Sequence, residues 1–294
     1  MTILTSTMLR NAAISFPMFG DGSICPPYSF SLFGYEVYFY GAIIASAFIL
    51  SALLCARLAP KFGLTSNDLF DFVIFLIPSC IIGARLYYVL FRLDYYIEFP
   101  AEIFSVRDGG LAIYGGIIAG IITGILVCRH KKIPVMALGD LAAFGLLLGQ
   151  AIGRWGNFIN REAFGGETDV FCRMGLTTPD GATIFVHPTF LYESMWNLIG
   201  LILLCVLLYR SLRRYDGQFA WLYVMWYGLG RAWIEGLRTD SLYIGTTDIR
   251  VSQLLAIVSA VTAAVILIIN ARKKHSPEAL FVNRKKASDE EKGS

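Results

Sequence analysis

Charge is scarce in this chain: lysine, arginine, aspartate and glutamate make up 16% of 294 residues, against about a quarter in an ordinary globular domain. Histidine is scarcer still, with three in the whole sequence, and the six cysteines show no metal-ligand spacing. No cofactor or metal site is expected. Cys55, Cys80, Cys128 and Cys205 fall in or beside apolar runs, as small apolar thiols do. Cys25 and Cys172 lie in segments expected on the same outer side, where a disulfide between them is one alternative and two free thiols the other. The near-balance of charge, a net +3, calls for no nucleic-acid partner. A basic start, short apolar run and small-residue cut site are all missing from residues 1–36, so no cleavable signal peptide is expected there.

What is present is apolar. Hydrophobic residues make up 56% of the sequence and the mean hydropathy is +0.59. A bilayer core about 30 Å thick takes roughly 20 apolar residues per helix, and seven stretches qualify: Val37–Ala56, Leu69–Phe91, Leu111–Cys128, Ile133–Ile152, Phe190–Tyr209, Phe219–Leu237 and Val251–Asn270. The expected fold is all-α and polytopic. An outer N-terminal segment covers residues 1–36, a seven-span membrane domain 37–270, and a charged cytoplasmic tail 271–294, read as disordered. With the N-terminus outside, every lysine falls inside and the outer segments carry arginine only, as the positive-inside rule requires.

Six charged residues fall within these spans: Asp71, Arg85, Asp140, Glu193, Arg231 and Glu235. Each costs about 3 kcal/mol at the bilayer centre if unpaired, so they must pair, sit at an interface or line a wet cavity. Asp71 reads as interfacial, Asp140 as structural, and Arg85 as either a tether or a supporting group. Arg231, Glu235 and Arg238 stand at i, i+4 and i+7 and share one helix face. They climb the half of the membrane where Tyr40, Tyr114, His187, Tyr192 and Glu193 are also expected. The segment GRWGNFINREAFGG, Gly153–Gly166, adds Arg154, Asn157, Asn160 and Glu162 beyond the end of the fourth span. It is expected as non-helical backbone, its glycines turning the chain, along one wall of an outward, bilayer-facing polar cavity. Guanidinium groups suit phosphate, and at that depth the available phosphate is a lipid headgroup. Gly116, Gly120 and Gly124, four apart, read as a helix-contact seam.

Here the chain resembles a known family. Gly153, Arg154, Gly156, Asn157, Phe158, Asn160, Glu162 and Gly165 match the pattern Gly-Arg-x-Gly-Asn-Phe-x-Asn-x-Glu-x-x-Gly of the bacterial prolipoprotein diacylglyceryl transferases. The likeness extends through GARLYYVLF, DGGLAIYGG, HPTFLYE and YGLGRAWIEGLR. The resemblance implies a multi-pass enzyme of the bacterial inner membrane, N-terminus outside. It would move the diacylglyceryl group of phosphatidylglycerol to the lipobox cysteine of a preprolipoprotein, releasing glycerol phosphate. It implies Arg154 and Arg231 as catalytic arginines on the phosphate, Arg238 assisting, and Glu235 holding Arg231. Tyr40, Asn157, Glu162 and Gly165 would bind or shape the headgroup site, and His187 opens the family's HPxxLYE segment. One position departs: where many members carry a histidine proposed as the base, this chain has Tyr114. A tyrosine, with a reference pKa near 10, is a poor base unless strongly shifted. Rival readings are a transporter, a lipid-binding scaffold, and a hydrolase using His187 with Ser194.

Overall fold

The computed structural model describes residues 9, 11–105, 109–239, 243, 247 and 249–293. In chain order its elements are β1 (Ala13–Ser15), β2 (Ser23–Ile24), β3 (Ser29–Leu32), β4 (Tyr35–Tyr38), α1 (Phe39–Leu58), α2 (Ser66–Leu90), the short α3 (Leu93–Glu98), α4 (Ile113–Lys131) and α5 (Val135–Asn160). There follow β5 (Met174–Thr177), β6 (Thr183–Val186), α6 (Thr189–Tyr209), α7 (Gln218–Glu235), α8 (Val251–Ala271) and α9 (Phe281–Gly293). Six helices, those beginning at Phe39, Ser66, Ile113, Val135, Thr189 and Val251, are long and apolar enough to cross a membrane. The 18-residue α7, which carries Arg231 and Glu235, falls outside that set. Their outward surfaces are aliphatic, with Leu53, Ile82, Ile121 and Val261 all more than half exposed. Water would penalise such surfaces and a bilayer would not.

The chain divides into two compact units. The first comprises the described residues up to Leu54, with Ala142–Arg213 and Gln218–Lys274. It contains β-structure that an all-α reading does not anticipate. β2, β1, β5 and β6 form an antiparallel sheet in that order, with Ile14 opposite both Ile24 and Leu176 and Leu176 opposite Ile184. One face closes over Phe158 at the end of α5 and Phe190 at the start of α6, together with Leu9, Ala12, Met174 and Val186. These strands are two to four residues long, too short for alternation to stand out in sequence. Cys25 and Cys172 are both free thiols. Deeper in this unit, Trp196 of α6 and Trp226 of α7 stack at 4.4 Å. Each indole N–H donates to the other's backbone carbonyl at 2.9 Å. Gly200 makes room, since a Cβ there would lie 2.5 Å from the Trp226 indole nitrogen. Gly228 does the same for α8, where a Cβ would meet the Ala256 carbonyl oxygen at 2.7 Å.

The second unit comprises the described residues within Cys55–Leu141, Arg214–Gly217 and His275–Ser294. α2 starts on a capping box, the Thr65 hydroxyl accepting from the Asp68 amide at 3.1 Å and the Asp68 carboxylate from the Thr65 amide at 2.9 Å. α2 and α4 meet backbone to backbone at Gly83 and Gly115, where any Cβ would clash with the opposite chain. Gly116, Gly120 and Gly124 continue that seam against Cys80, Leu76 and Phe72, as the four-residue spacing predicts. Arg85 is a tether: it donates to the carbonyls of Ile103 (2.9 Å), Gly109 (2.9 Å), Gly110 (3.0 Å) and Glu102 (2.5 Å) and lies over the Tyr96 ring. Asp71 pairs with Lys131 at 2.6 Å. Asp140, fully buried, accepts from the Gly217 amide at 2.8 Å, the structural role expected of it. The tail is not the disordered extension its composition suggests. Leu280 is buried, the Phe281 amide donates to Asp216 at 3.1 Å, and Lys285 donates to the Gly63 carbonyl at 3.0 Å. These few anchors hold α9 despite its charged sequence.

Candidate active site

The GRWGNFIN segment does not leave the helix at Gly153. α5 continues to Asn160, because Gly153 and Gly156 serve contact rather than turning. A Cβ on Gly156 would lie 2.7 Å from the Tyr40 ring, and one on Gly153 3.4 Å from Ile44. Arg154, Asn157 and Asn160 therefore stand at i, i+3 and i+6 on one face, with Tyr40 of α1 laid against Gly156. The turn is borne instead by Arg161 and Ala163, at φ 49° and 57°. Arg161 is buried and fixes that turn, donating to the carbonyls of Ala12 (3.1 Å), Ile159 (2.6 Å) and Pro26 (2.8 Å).

Past the turn the chain is stitched on both sides. The Gly165 amide donates to the His187 carbonyl at 2.9 Å and the His187 amide to Gly166 at 3.1 Å, while the Gly166 amide donates to Leu237 at 2.9 Å. Gly165 also bridges to Arg238. A Cβ at Gly165 would lie 2.6 Å from that of His187 and 2.8 Å from the Leu237 carbonyl oxygen, so only glycine fits. This ladder draws together the end of α5, the start of α6 and the segment after α7.

The side chains so gathered converge on Glu193. Its carboxylate lies 2.6 Å from Arg154, 3.3 Å from Arg231 and 3.5 Å from Arg238. Arg231 also pairs with Glu235 at 2.6 Å, the i, i+4 partnership expected within α7. The guanidinium of Arg250 donates to the Glu235 backbone carbonyl. From Arg154 a polar line runs on: Arg154 donates to Asn157 at 3.4 Å, and Asn157 and Asn160 donate to Glu162 at 2.9 Å and 3.2 Å. The exposures are graded. The Glu193 and Glu235 side chains are 5% and 2% exposed, those of Arg154, Arg231 and Arg238 22%, 16% and 11%. The acids lie behind and the cations in front. Buried carboxylates are tolerable only because they are paired, and guanidiniums partly open in front of them suit an anion.

The remaining expected residues divide. The His187 ring nitrogen is 3.3 Å from the Tyr192 hydroxyl, which is 3.3 Å from the Cys172 sulfur. Ser194 donates to the Ala151 carbonyl at 2.8 Å and receives the Trp155 indole at 3.3 Å, so its proton is spent and a His187–Ser194 hydrolase pair is not assembled. Tyr114 belongs to the second unit, one residue inside α4, with its ring 6.5 Å from that of Tyr87. The centre of the network, Glu193, was legible only as an intramembrane acid in HPTFLYE, with no indication that three arginines share it. The anchor role of Arg161 left no signal in sequence.

Fold and site together define a class: a helical, multi-pass membrane protein with a buried arginine–carboxylate centre at the end of one helix. The chain matches the model of the prolipoprotein diacylglyceryl transferase family over residues 27–269, and it belongs to that family. It is 44% identical over 265 residues to the phosphatidylglycerol–prolipoprotein diacylglyceryl transferase of Enterococcus faecalis, spanning 88% of this chain and 94% of that protein. It is 43% identical over 246 residues to the enzyme of the same name from Bacillus cereus, spanning 81% and 89%.

Proposed function

We propose that this protein transfers the diacylglyceryl group of phosphatidylglycerol to the lipobox cysteine of a preprolipoprotein, in the bacterial cytoplasmic membrane. Its N-terminus faces outward, α7 completes a set of seven spans, and the polar centre opens toward the outer half of the bilayer. The observation that carries this reading is the convergence of Arg154, Arg231 and Arg238 on the buried Glu193 in a chain of this family.

The chemistry follows from the groups present. The cysteine sulfur attacks the glyceryl carbon bonded to the phosphate ester; a carbon–sulfur bond forms, the carbon–oxygen bond breaks, and glycerol phosphate departs with the electron pair. Charge grows on the departing phosphate oxygen. Arg154 and Arg231 stabilise it there, where preorganised cations act most strongly. Glu193 and Glu235 hold those guanidiniums in place before the lipid arrives, so that little reorganisation is needed at the moment of reaction. Arg238 assists at the rim. Tyr40, Asn157, Glu162 and the close approach at Gly165 shape the headgroup site, and His187 borders it.

The nucleophile must be a thiolate, and a free cysteine with a pKa near 8.5 supplies only a small fraction near neutrality. The cationic field of the arginines raises that fraction, and the thiol proton passes to solvent or to the leaving phosphate. Tyr114 takes a hydrogen-bonding role toward substrate rather than the base role assigned to histidine in many family members. The test is a reconstituted reaction of purified protein, phosphatidylglycerol vesicles and a lipobox peptide, with a Cys→Ala peptide as control. A thioether-linked peptide formed together with glycerol phosphate supports the proposal; folded, lipid-binding protein that yields neither overturns it.

A further inference from the structure

β3 and β4 form a two-stranded antiparallel hairpin of their own, outside the larger sheet. Its register pairs Phe30 with Val37 and Leu32 with Tyr35, alternating with Ser29–Tyr38 and Ser31–Glu36. Since successive side chains point to opposite faces, one face is Phe30, Leu32, Tyr35 and Val37, and the other Ser29, Ser31, Glu36 and Tyr38. Glu36, the hairpin's only charged residue, is engaged on the second face, accepting from the Ser29 hydroxyl at 2.6 Å. Much of the apolar face is uncovered: Leu32 is 47% exposed and Tyr35 78%, while Val37 is half-buried. A lone hairpin is at best marginally stable in water, and one with a bare apolar face less so.

The turn makes the oddity sharper. Phe33 and Gly34 both have positive φ, 51° and 83°, the two-residue turn that favours Asn-Gly. A bulky aromatic in the left-handed region is an outlier, yet this one is 93% exposed. The strain places a phenyl ring at the tip, where the described residues of the unit leave it almost wholly exposed.

The hairpin's position supplies the occupant. β4 ends at Tyr38 and α1 begins at Phe39 with no linker, so the ribbon grows directly from a helix fit to cross the bilayer. Phe30 rests on Phe39 at 5.0 Å. The base is pinned to the motif: the Phe39 amide donates to the Tyr28 carbonyl at 2.9 Å, the Tyr28 hydroxyl donates to the Asn160 carbonyl at 3.0 Å, and Arg161 lies over the Tyr28 ring. Lysine and arginine are absent from residues 28–40, so the surface lacks an electrostatic grip on headgroups and offers amphipathic rings suited to the level between headgroup and acyl chain.

We propose that the β3–β4 hairpin is a lipid-surface anchor: its Phe30, Leu32, Tyr35 and Val37 face and its Phe33 tip embed in the bilayer interface beside α1, holding the Tyr28–Asn160 end of the site at the membrane. The test places one extra tryptophan in the full-length protein at Phe33, at Tyr35 or, on the opposite face, at Ser31. Each variant is reconstituted in phosphatidylcholine–phosphatidylglycerol vesicles with or without brominated acyl chains and compared with the parent, which subtracts the native tryptophans. Tryptophans from Phe33→Trp and Tyr35→Trp should lose most of their emission in brominated lipid and resist aqueous iodide, while that from Ser31→Trp should be quenched by iodide. Because Tyr35→Trp leaves the turn untouched, it reads the face even if the tip substitution disturbs the hairpin. Iodide quenching at both 33 and 35 without bromine quenching would overturn the proposal. So would shielding from iodide only on addition of a lipobox peptide, or only at protein densities where two copies associate.

Discussion

Arginine is held in two opposite ways in this protein. In the second unit Arg85 is wrapped by four backbone carbonyls from residues 102–110; its donors are directed at its own chain and it holds a loop. In the first unit Arg154, Arg231 and Arg238 gather on carboxylates instead, with the acids nearly closed and the guanidiniums partly open. Carbonyls saturate an arginine's donors without cancelling its charge, which fixes it as structure. A carboxylate shared among three arginines aligns them with their guanidiniums partly open. The partners of a cation, more than its burial, therefore distinguish the tether from the cluster proposed to meet the substrate.

The largest effects should fall on the open cluster. Arg154→Ala or Arg231→Ala should all but abolish transfer, lowering kcat by about a hundred- to a thousandfold, as loss of one preorganised donor does, while the protein still inserts and melts cooperatively. Wild-type turnover by either well-inserted variant would break the distinction. Glu193→Gln should come next. It keeps shape but removes the charge the arginines share, and should cost about 10- to 100-fold, mainly in kcat, with phosphatidylglycerol binding retained. A loss confined to thermal stability would show Glu193 to be scaffold like Arg85.

Arg85→Ala should act the other way. Four carbonyls lose their donor, so stability should fall by about 3 kcal/mol, while activity per folded molecule stays close to that of the parent. Unfolding in detergent and active-site-normalised turnover would separate the two quantities. The smallest effect is expected at Tyr114: Tyr114→Phe should weaken transfer less than about tenfold, the range of one neutral hydrogen bond. Total loss there would restore Tyr114 as a proton acceptor.

Much of this contrast was readable from residues alone. Six of the expected spans emerge as helices fit to cross a membrane, and the i, i+4 spacing in α7 foretold the Arg231–Glu235 pair because helix geometry fixes neighbours locally. The hub did not show, because Glu193 meets Arg154 and Arg231 across 39 and 38 positions of sequence, brought together by tertiary contacts such as the Gly165–Gly166 ladder and the Trp196–Trp226 stack. The persistence of α5 through Gly153 and Gly156 was hidden for a related reason: a glycine that admits the Tyr40 ring looks like one that turns the chain. The strands are too short to announce a period, and the order of the tail rests on a handful of anchors, Leu280 and Asp216 among them, that composition averages away.

The most direct measurement is glycerol phosphate release from phosphatidylglycerol vesicles and lipobox peptide by purified Arg231→Ala protein, set beside Arg85→Ala and the parent at equal folded concentration. The arrangement around Glu193 predicts background release from the Arg231 variant and near-parental release from the Arg85 variant. Parental release from folded Arg231→Ala protein would contradict the assignment of this cluster to the leaving phosphate.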